Sequence, residues 1–228
     1  MDKKVRILLW GDSNAVGSVD TKVNYEDGFI ADTLRSSTYD YIVDKFALGG
    51  KKWTDFAGRH LQFARRPLIE AADAKADWGV IILGTNDISA QEEASAGSRA
   101  VQATLEKMKA RLVSDEASHI LVVAPFNFEP TKAKKAEALQ TAIRKTVDSF
   151  GATWIDPAWQ RADCQNRMGK IDRKHFTVEA AGRLARFIHA RIRAVTHPPS
   201  SADSSAATSS TAMPESLASA PLLKRARR

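Results

Sequence analysis

Val5-Arg6-Ile7-Leu8-Leu9-Trp10 runs straight into Gly11-Asp12-Ser13, and a small-residue stretch, Asn14-Ala15-Val16-Gly17, follows. An apolar run that stops at Gly-Asp-Ser reads as a buried strand, ending where an open α/β sheet presents a nucleophile. Two runs of the same kind lie downstream. Tyr39 to Phe46 ends at Ala47-Leu48-Gly49-Gly50, and Trp78-Gly79-Val80-Ile81-Ile82-Leu83 ends at Gly84-Thr85-Asn86-Asp87. The latter is continuously apolar, as a central parallel strand should be. His119 to Ala124, closed by Pro125, predicts a fourth strand, and Thr153 to Ile155, before Asp156-Pro157, a fifth.

Helical patterns separate these runs. Gly28 to Ser36 is the first. Thr54 to Ala72 carries Phe56, His60 and Phe63 at helical spacing, with Pro67 expected to break or kink it. Ser98 to Leu112 places Val101, Leu105, Met108 and Leu112 on one stripe, and Thr131 to Phe150 turns Leu139, Ile143 and Val147 inward before Gly151. An irregular stretch then runs to Lys174, and a last helix is expected from the N-cap Thr177 to about Val195. Strands alternating with helices in this way predict a parallel sheet covered on both faces, joined by right-handed crossovers. Gly11-Asp12-Ser13, Gly49-Gly50 and Gly84-Thr85-Asn86-Asp87 would then share the carboxyl edge of that sheet.

The chain has 228 residues, 43% hydrophobic and 27% charged, which suits one globular domain with an appendage. From Pro198 onward Ser, Ala, Thr and Pro dominate, so residues 1–197 are expected to form the folded domain and 198–228 a disordered tail. That tail ends in Lys224-Arg225-Ala226-Arg227-Arg228, a cluster that could dock on an anionic partner or a protein, or serve only as a solubilising terminus. The net charge of +7 admits nucleic acid or acidic glycans as partners, but the basic residues are scattered along helices, as on a solvated surface. The single cysteine, Cys164, excludes an internal disulfide and reads as an incidental thiol. No apolar run approaches the ~20 residues of a membrane span. The start, Met1-Asp2-Lys3-Lys4, leads into only a short apolar run with no small-residue cleavage site, so no Sec signal is read. A cytoplasmic location is expected, with a virion or non-classical export as alternatives.

A serine hydroxyl needs a neighbouring base. Of the five histidines, His60 and His189 fall in helical patterns, His119 opens a strand and His197 begins the tail. His175 instead lies after the last strand and just before the last helix, with Asp172 three residues upstream, where a carboxylate can fix its tautomer and stabilise the imidazolium. For the oxyanion of a tetrahedral intermediate, the candidate donors are the N–H of Ser13, the N–H of Gly50, whose missing side chain permits close approach, and the neutral amide of Asn86. Gly49-Gly50 as only a turn, and Asn86-Asp87 as only a helix cap, remain the alternative readings.

These blocks resemble, in order, those of the SGNH hydrolases, the GDSL esterases and lipases, over residues 5 to about 195. Gly11-Asp12-Ser13 with Gly17 is similar to the family's GDS-x-x-x-G, Gly50 (or Gly49) to its glycine block, Gly84-Thr85-Asn86-Asp87 to its G-x-N-D, and Asp172-x-x-His175 to its last block. The resemblance implies a flavodoxin-like three-layer α/β/α sandwich on a five-stranded parallel sheet. It implies Ser13 as nucleophile, His175 as base, Asp172 as its partner, and Ser13, Gly50 and Asn86 as the oxyanion hole. Lys51-Lys52-Trp53 depart from the small or hydroxyl residues usual after the glycine, which makes the pocket rim basic and aromatic. No G-x-S-x-G elbow is present, which argues against the larger α/β-hydrolase fold.

The expected activity is hydrolysis of carboxylic esters through an acyl-enzyme, with no metal or cofactor. Short acyl groups are favoured, acetyl esters on carbohydrate among them, because the chain is short and lacks a lid. Lysophospholipid or thioester hydrolysis is the alternative, and a non-catalytic adaptor or structural role of the same fold the rival. Trp53, Phe126, Phe128 and Trp159 are expected to line the substrate pocket or, equally, to pack.

Overall fold

The computed structural model describes residues 4–16, 29–36, 38–58, 75–90, 94–125, 133–156, 175–176 and 178–196. Five strands form one all-parallel sheet. They are β1 (Arg6–Gly11), β2 (Ile42–Ala47), β3 (Trp78–Ile82), β4 (Ile120–Val123) and β5 (Thr153–Ile155), in the order β2-β1-β3-β4-β5. The helices are α1 (Ser13–Val16), α2 (Phe29–Arg35), α3 (Trp53–Ala57), α4 (Thr85–Ala90), α5 (Ala94–Lys109), α6 (Ala133–Phe150) and α7 (Val178–Thr196).

Alternation along the strands divides the core. Ile7 and Leu9 of β1 face α2 and α7, packing with Ile30, Leu34, Leu184 and Ile188. Leu8 and Trp10 face the other way, with Phe56 of α3, Leu105 of α5 and Ile143 of α6. A period of two with both faces apolar is the mark of a sheet covered by helices on each side, and the result is a three-layer α/β/α sandwich.

The strand ends lie in one row. Gly11 pairs with Ala47 on one side and Ile82 on the other, Ile82 with Val123, and Val123 with Ile155. The chain leaves β1 for β2 on one flank and returns to β3 on the other, so the strand order reverses between β1 and β3. That switch point is where open parallel sheets bind ligands. Gly11-Asp12-Ser13 and Gly84-Thr85-Asn86 emerge on either side of it. Gly84 turns the chain there with φ +113, and a Cβ at this position would sit 2.5 Å from Pro125 Cβ, so both backbone and space require glycine.

Several elements differ from expectation. Ser13–Val16 and Thr85–Ala90 are short helices directly after their strands, where the sequence reading placed no helix. The helix expected over Thr54 to Ala72 stops at Ala57, and residues 59–74 lie outside the described ones. Gly58 is extended there (φ −60, ψ 161), and Lys107 Nζ donates to the carbonyls of Phe56, Ala57 and Gly58. A single ammonium thus takes up the free acceptors at the end of α3. Helix α5 starts four residues earlier than expected, at Ala94 rather than Ser98. His119 precedes β4 in a 3-10 turn (Ala117–His119) and stacks on Trp78 at 4.5 Å.

Two compact units divide the chain, Met1–Ile192 and Arg193–Arg228. Of the second, residues 193–196 are described. No described helix is long and apolar enough to cross a membrane.

Candidate active site

Ser13 is the first residue of α1. Its Oγ lies 2.8 Å from Nε2 of His175, across 162 residues of sequence. Both side chains are half-buried, reachable from solvent yet shielded. At this separation the imidazole can accept the hydroxyl proton directly. His189, by contrast, lies 2.8 Å from the Tyr41 hydroxyl through Nδ1 and packs on Tyr39 at 4.3 Å, a packing role in keeping with its place in a helical pattern. Asp172, Phe126, Phe128, Trp159, Cys164, His60 and His197 lie outside the described residues.

The turn that presents Ser13 is built by Asp12. Its Oδ1 accepts the N–H of Asn14 at 2.9 Å, and its backbone carbonyl accepts from Ala15 and Val16. These are the bonds of an N-capping residue, and they explain a four-residue helix of modest propensity. The glycine block follows β2. Gly50 has φ +79, and a Cβ on Gly49 would come within 3.9 Å of Ser13 Cβ, so both glycines belong to the turn beside the nucleophile.

Asn86 sits in the first turn of α4, half-buried. Its Nδ2 donates to the Lys51 carbonyl at 2.9 Å and to Asp12 Oδ2 at a longer 3.4 Å. The amide is therefore tied to both the glycine block and the nucleophile turn. Its neighbour Asp87 is buried, and its carboxylate accepts the N–H of Trp53 at 3.3 and 3.4 Å, while Asp55 accepts that of Lys52 at 2.8 Å. Together these carboxylates cap α3 and anchor the segment that carries Gly50. From the sequence, a capping role for Asn86-Asp87 stood only as the alternative to an oxyanion role, and nothing in it pointed to α3 as the helix that Asp87 caps. Trp53, expected to line the pocket or, equally, to pack, is fully buried among Trp10, Phe56 and Leu105, because α3 turns its apolar side under α5. An open groove of about 600 Å³ between α5 and α6, lined by Arg99, Gln102, Glu106 and Lys145 among others, contains none of these residues.

Burial pushes the Asp12 carboxyl up to about 7, with the nearby charge of Asp87 adding to the rise and the Asn14 N–H opposing it. The unfolded chain gives up this proton near pH 4, whereas the folded chain holds it until about 7. Between those values the folded state binds more protons, so Asp12 contributes stability at low pH that is lost as pH rises through about 7. Asp12→Asn removes this dependence. We expect the melting temperature of the parent, measured against that of Asp12→Asn, to fall by about 5–10 °C between pH 5 and pH 8. A constant difference would contradict a protonated Asp12.

The solved structures this chain resembles share its fold at low identity. A carbohydrate acetylesterase from Sinorhizobium meliloti is 20% identical with a TM-score of 0.57, over 84% of this chain and 100% of that one. An acetylxylan esterase from Geobacillus stearothermophilus, solved as a catalytic mutant, is 15% identical at a TM-score of 0.57, over 84% and 96%. A psychrotrophic esterase from Pseudoalteromonas is 13% identical at 0.63, over 84% and 98%. Among curated protein sequences, none matches significantly. The decisive likeness is to a family model whose matched residues, 9–191, run from the end of β1 to α7 and take in Ser13, Gly50, Asn86 and His175: the chain belongs to the GDSL-like lipase/acylhydrolase family.

Proposed function

We propose that this chain is a serine esterase that removes short acyl groups, acetyl esters of carbohydrates foremost, through an acyl-enzyme on Ser13. The observation that carries the reading is the 2.8 Å contact between Ser13 Oγ and His175 Nε2 at the carboxyl edge of the sheet. Ser13 Oγ attacks the ester carbonyl while His175 takes its proton. The N–H groups of Ser13 and Gly50 and the amide of Asn86 receive the oxyanion. His175 then gives its proton to the leaving alcohol, and the acyl group stays on Ser13. In the second half His175 deprotonates a water, which attacks the acyl carbon and frees the acid as Ser13 recovers its proton. Asp172, by its Asp-x-x-His spacing, is assigned to hold the imidazole tautomer.

The acyl preference is supported by two of the similar structures, a carbohydrate acetylesterase and an acetylxylan esterase. A panel of p-nitrophenyl esters from acetate to octanoate, with acetylated xylan and xylose beside it, tests it. We expect kcat/KM to fall by about tenfold or more from acetate to octanoate, since a site fitted to a short acyl group excludes the longer chain from the reactive pose. Faster turnover of the octanoate would overturn the short-acyl reading and favour a lipid or thioester substrate.

A further inference from the structure

Asn14 has no chemical role in the reaction just described, yet its side chain is fixed at both ends. It is 2% exposed. Its Oδ1 accepts the backbone N–H of Phe176, next to His175, at 3.0 Å. Its Nδ2 donates to Thr85 Oγ1, next to Asn86, at 3.3 Å. Its own backbone precedes Ala15 in α1, directly after Ser13, and its N–H is the one that Asp12 holds. One primary amide thus bonds to residues 71 and 162 positions away, each adjacent to a residue of the candidate site.

The segment that brings His175 to Ser13 needs such an anchor. The ring of Phe176 is buried against α7 and its amide points to Asn14, so the backbone beside the imidazole is held from two directions. A leucine, the residue at this place in the four letters of the family's name, would fill similar space and hold neither end. We infer that Asn14 is a positioning residue that sets the Ser13–His175 contact and registers it against Asn86, by bridging the Phe176 N–H and the Thr85 hydroxyl. This rests on the reading of Ser13 and His175 as nucleophile and base. Reacting groups displaced by about 1 Å lose on the order of 10²-fold in rate, so a device of this kind acts on kcat rather than on binding.

Three variants of the full chain test it. Asn14→Leu removes both bonds, Asn14→Asp keeps an oxygen for the Phe176 N–H, and Thr85→Val removes the other arm alone. For Asn14→Leu we expect kcat on p-nitrophenyl acetate to fall about 100-fold with KM within about threefold of the parent. Labelling by a fluorophosphonate should slow in parallel, and the Ser13 Oγ–His175 Nε2 separation in a crystal structure should open beyond hydrogen-bond reach. Asn14→Asp and Thr85→Val should each lower kcat measurably, by about three- to tenfold, because each loses one arm and keeps the other. Folded Asn14→Leu with parental kcat, or with the Ser13–His175 contact intact, would overturn the inference. So would a loss that Asn14→Asp does not partly restore. Should Asn14→Leu fail to fold, Asn14→Asp and Thr85→Val decide on the same readouts, and parental kcat in both overturns it. A parent that neither hydrolyses esters nor takes the fluorophosphonate defeats the functional reading instead. The Ser13–His175 separation in Asn14→Leu then still decides the positioning role.

Discussion

Ser13→Ala should abolish ester turnover, lowering kcat on p-nitrophenyl acetate by on the order of 10⁴-fold or more while the protein stays folded. The size follows from the mechanism. Without Oγ no acyl-enzyme forms, and what remains is activation of water by His175 beside the oxyanion donors. The fold should hardly notice the change. Ser13 is half-buried, and the turn around it is held by Asp12 through the Asn14, Ala15 and Val16 amides rather than by the hydroxyl. His175→Ala should cost nearly as much, because the two groups at 2.8 Å act as one unit and their losses do not add. Steady-state kinetics on both variants and the double variant check this. Loss in the double variant equal to the product of the single losses would show that the two residues work independently.

The second large effect is at Asn86. Asn86→Ala should lower kcat by about 10²–10³-fold and leave KM nearly unchanged, the signature of a donor that matters only when charge develops on the substrate oxygen. Both hydrogens of the Asn86 amide have partners in the free protein, Lys51 O at 2.9 Å and Asp12 Oδ2 at 3.4 Å. On the proposed reading the longer bond is the one an oxyanion would replace, while Lys51 O keeps the amide oriented. Asp12 would then lose a donor contact as the reaction proceeds. Being protonated up to about pH 7, it does so without leaving a bare buried charge. A rise in KM with kcat preserved in Asn86→Ala would place Asn86 in ground-state binding instead.

The inner strands were legible because both faces of the sheet are buried there and each is a short apolar run closed by polar or turn residues, whereas β2, with Asp44 and Lys45 in it, begins at Ile42 rather than the expected Tyr39. Thr153–Ile155 is read to the residue, and Trp78–Ile82 is missed by a single position. The convergence of Ser13, Gly50 and Asn86 followed from the same fact, since every block stands directly after a strand and parallel strands put their ends in a row. The short helices were not legible. α1 has four residues and α4 six, and neither is sustained by periodicity; bonds such as Asp12 Oδ1 to the Asn14 amide form them. The end of α3 escaped for a related reason. The cation that closes it, Lys107, comes from a helix about fifty residues later, and no local pattern announces it. Trp53 was left open between pocket and packing because an aromatic beside two lysines suits a pocket rim as well as a core, and its burial comes from α3 packing on α5. Asn14 carried one faint signal, a polar residue in an otherwise small and apolar turn, with nothing to say what it would hold.

The central claim, that Ser13 is a nucleophile activated by His175, is tested most directly by covalent labelling of the full chain with a fluorophosphonate, read by intact mass and peptide mapping. One adduct per chain, on Ser13, formed by the parent and absent from both Ser13→Ala and His175→Ala, is the predicted result. A well-folded parent that takes no label, or takes it equally well without His175, would contradict the claim.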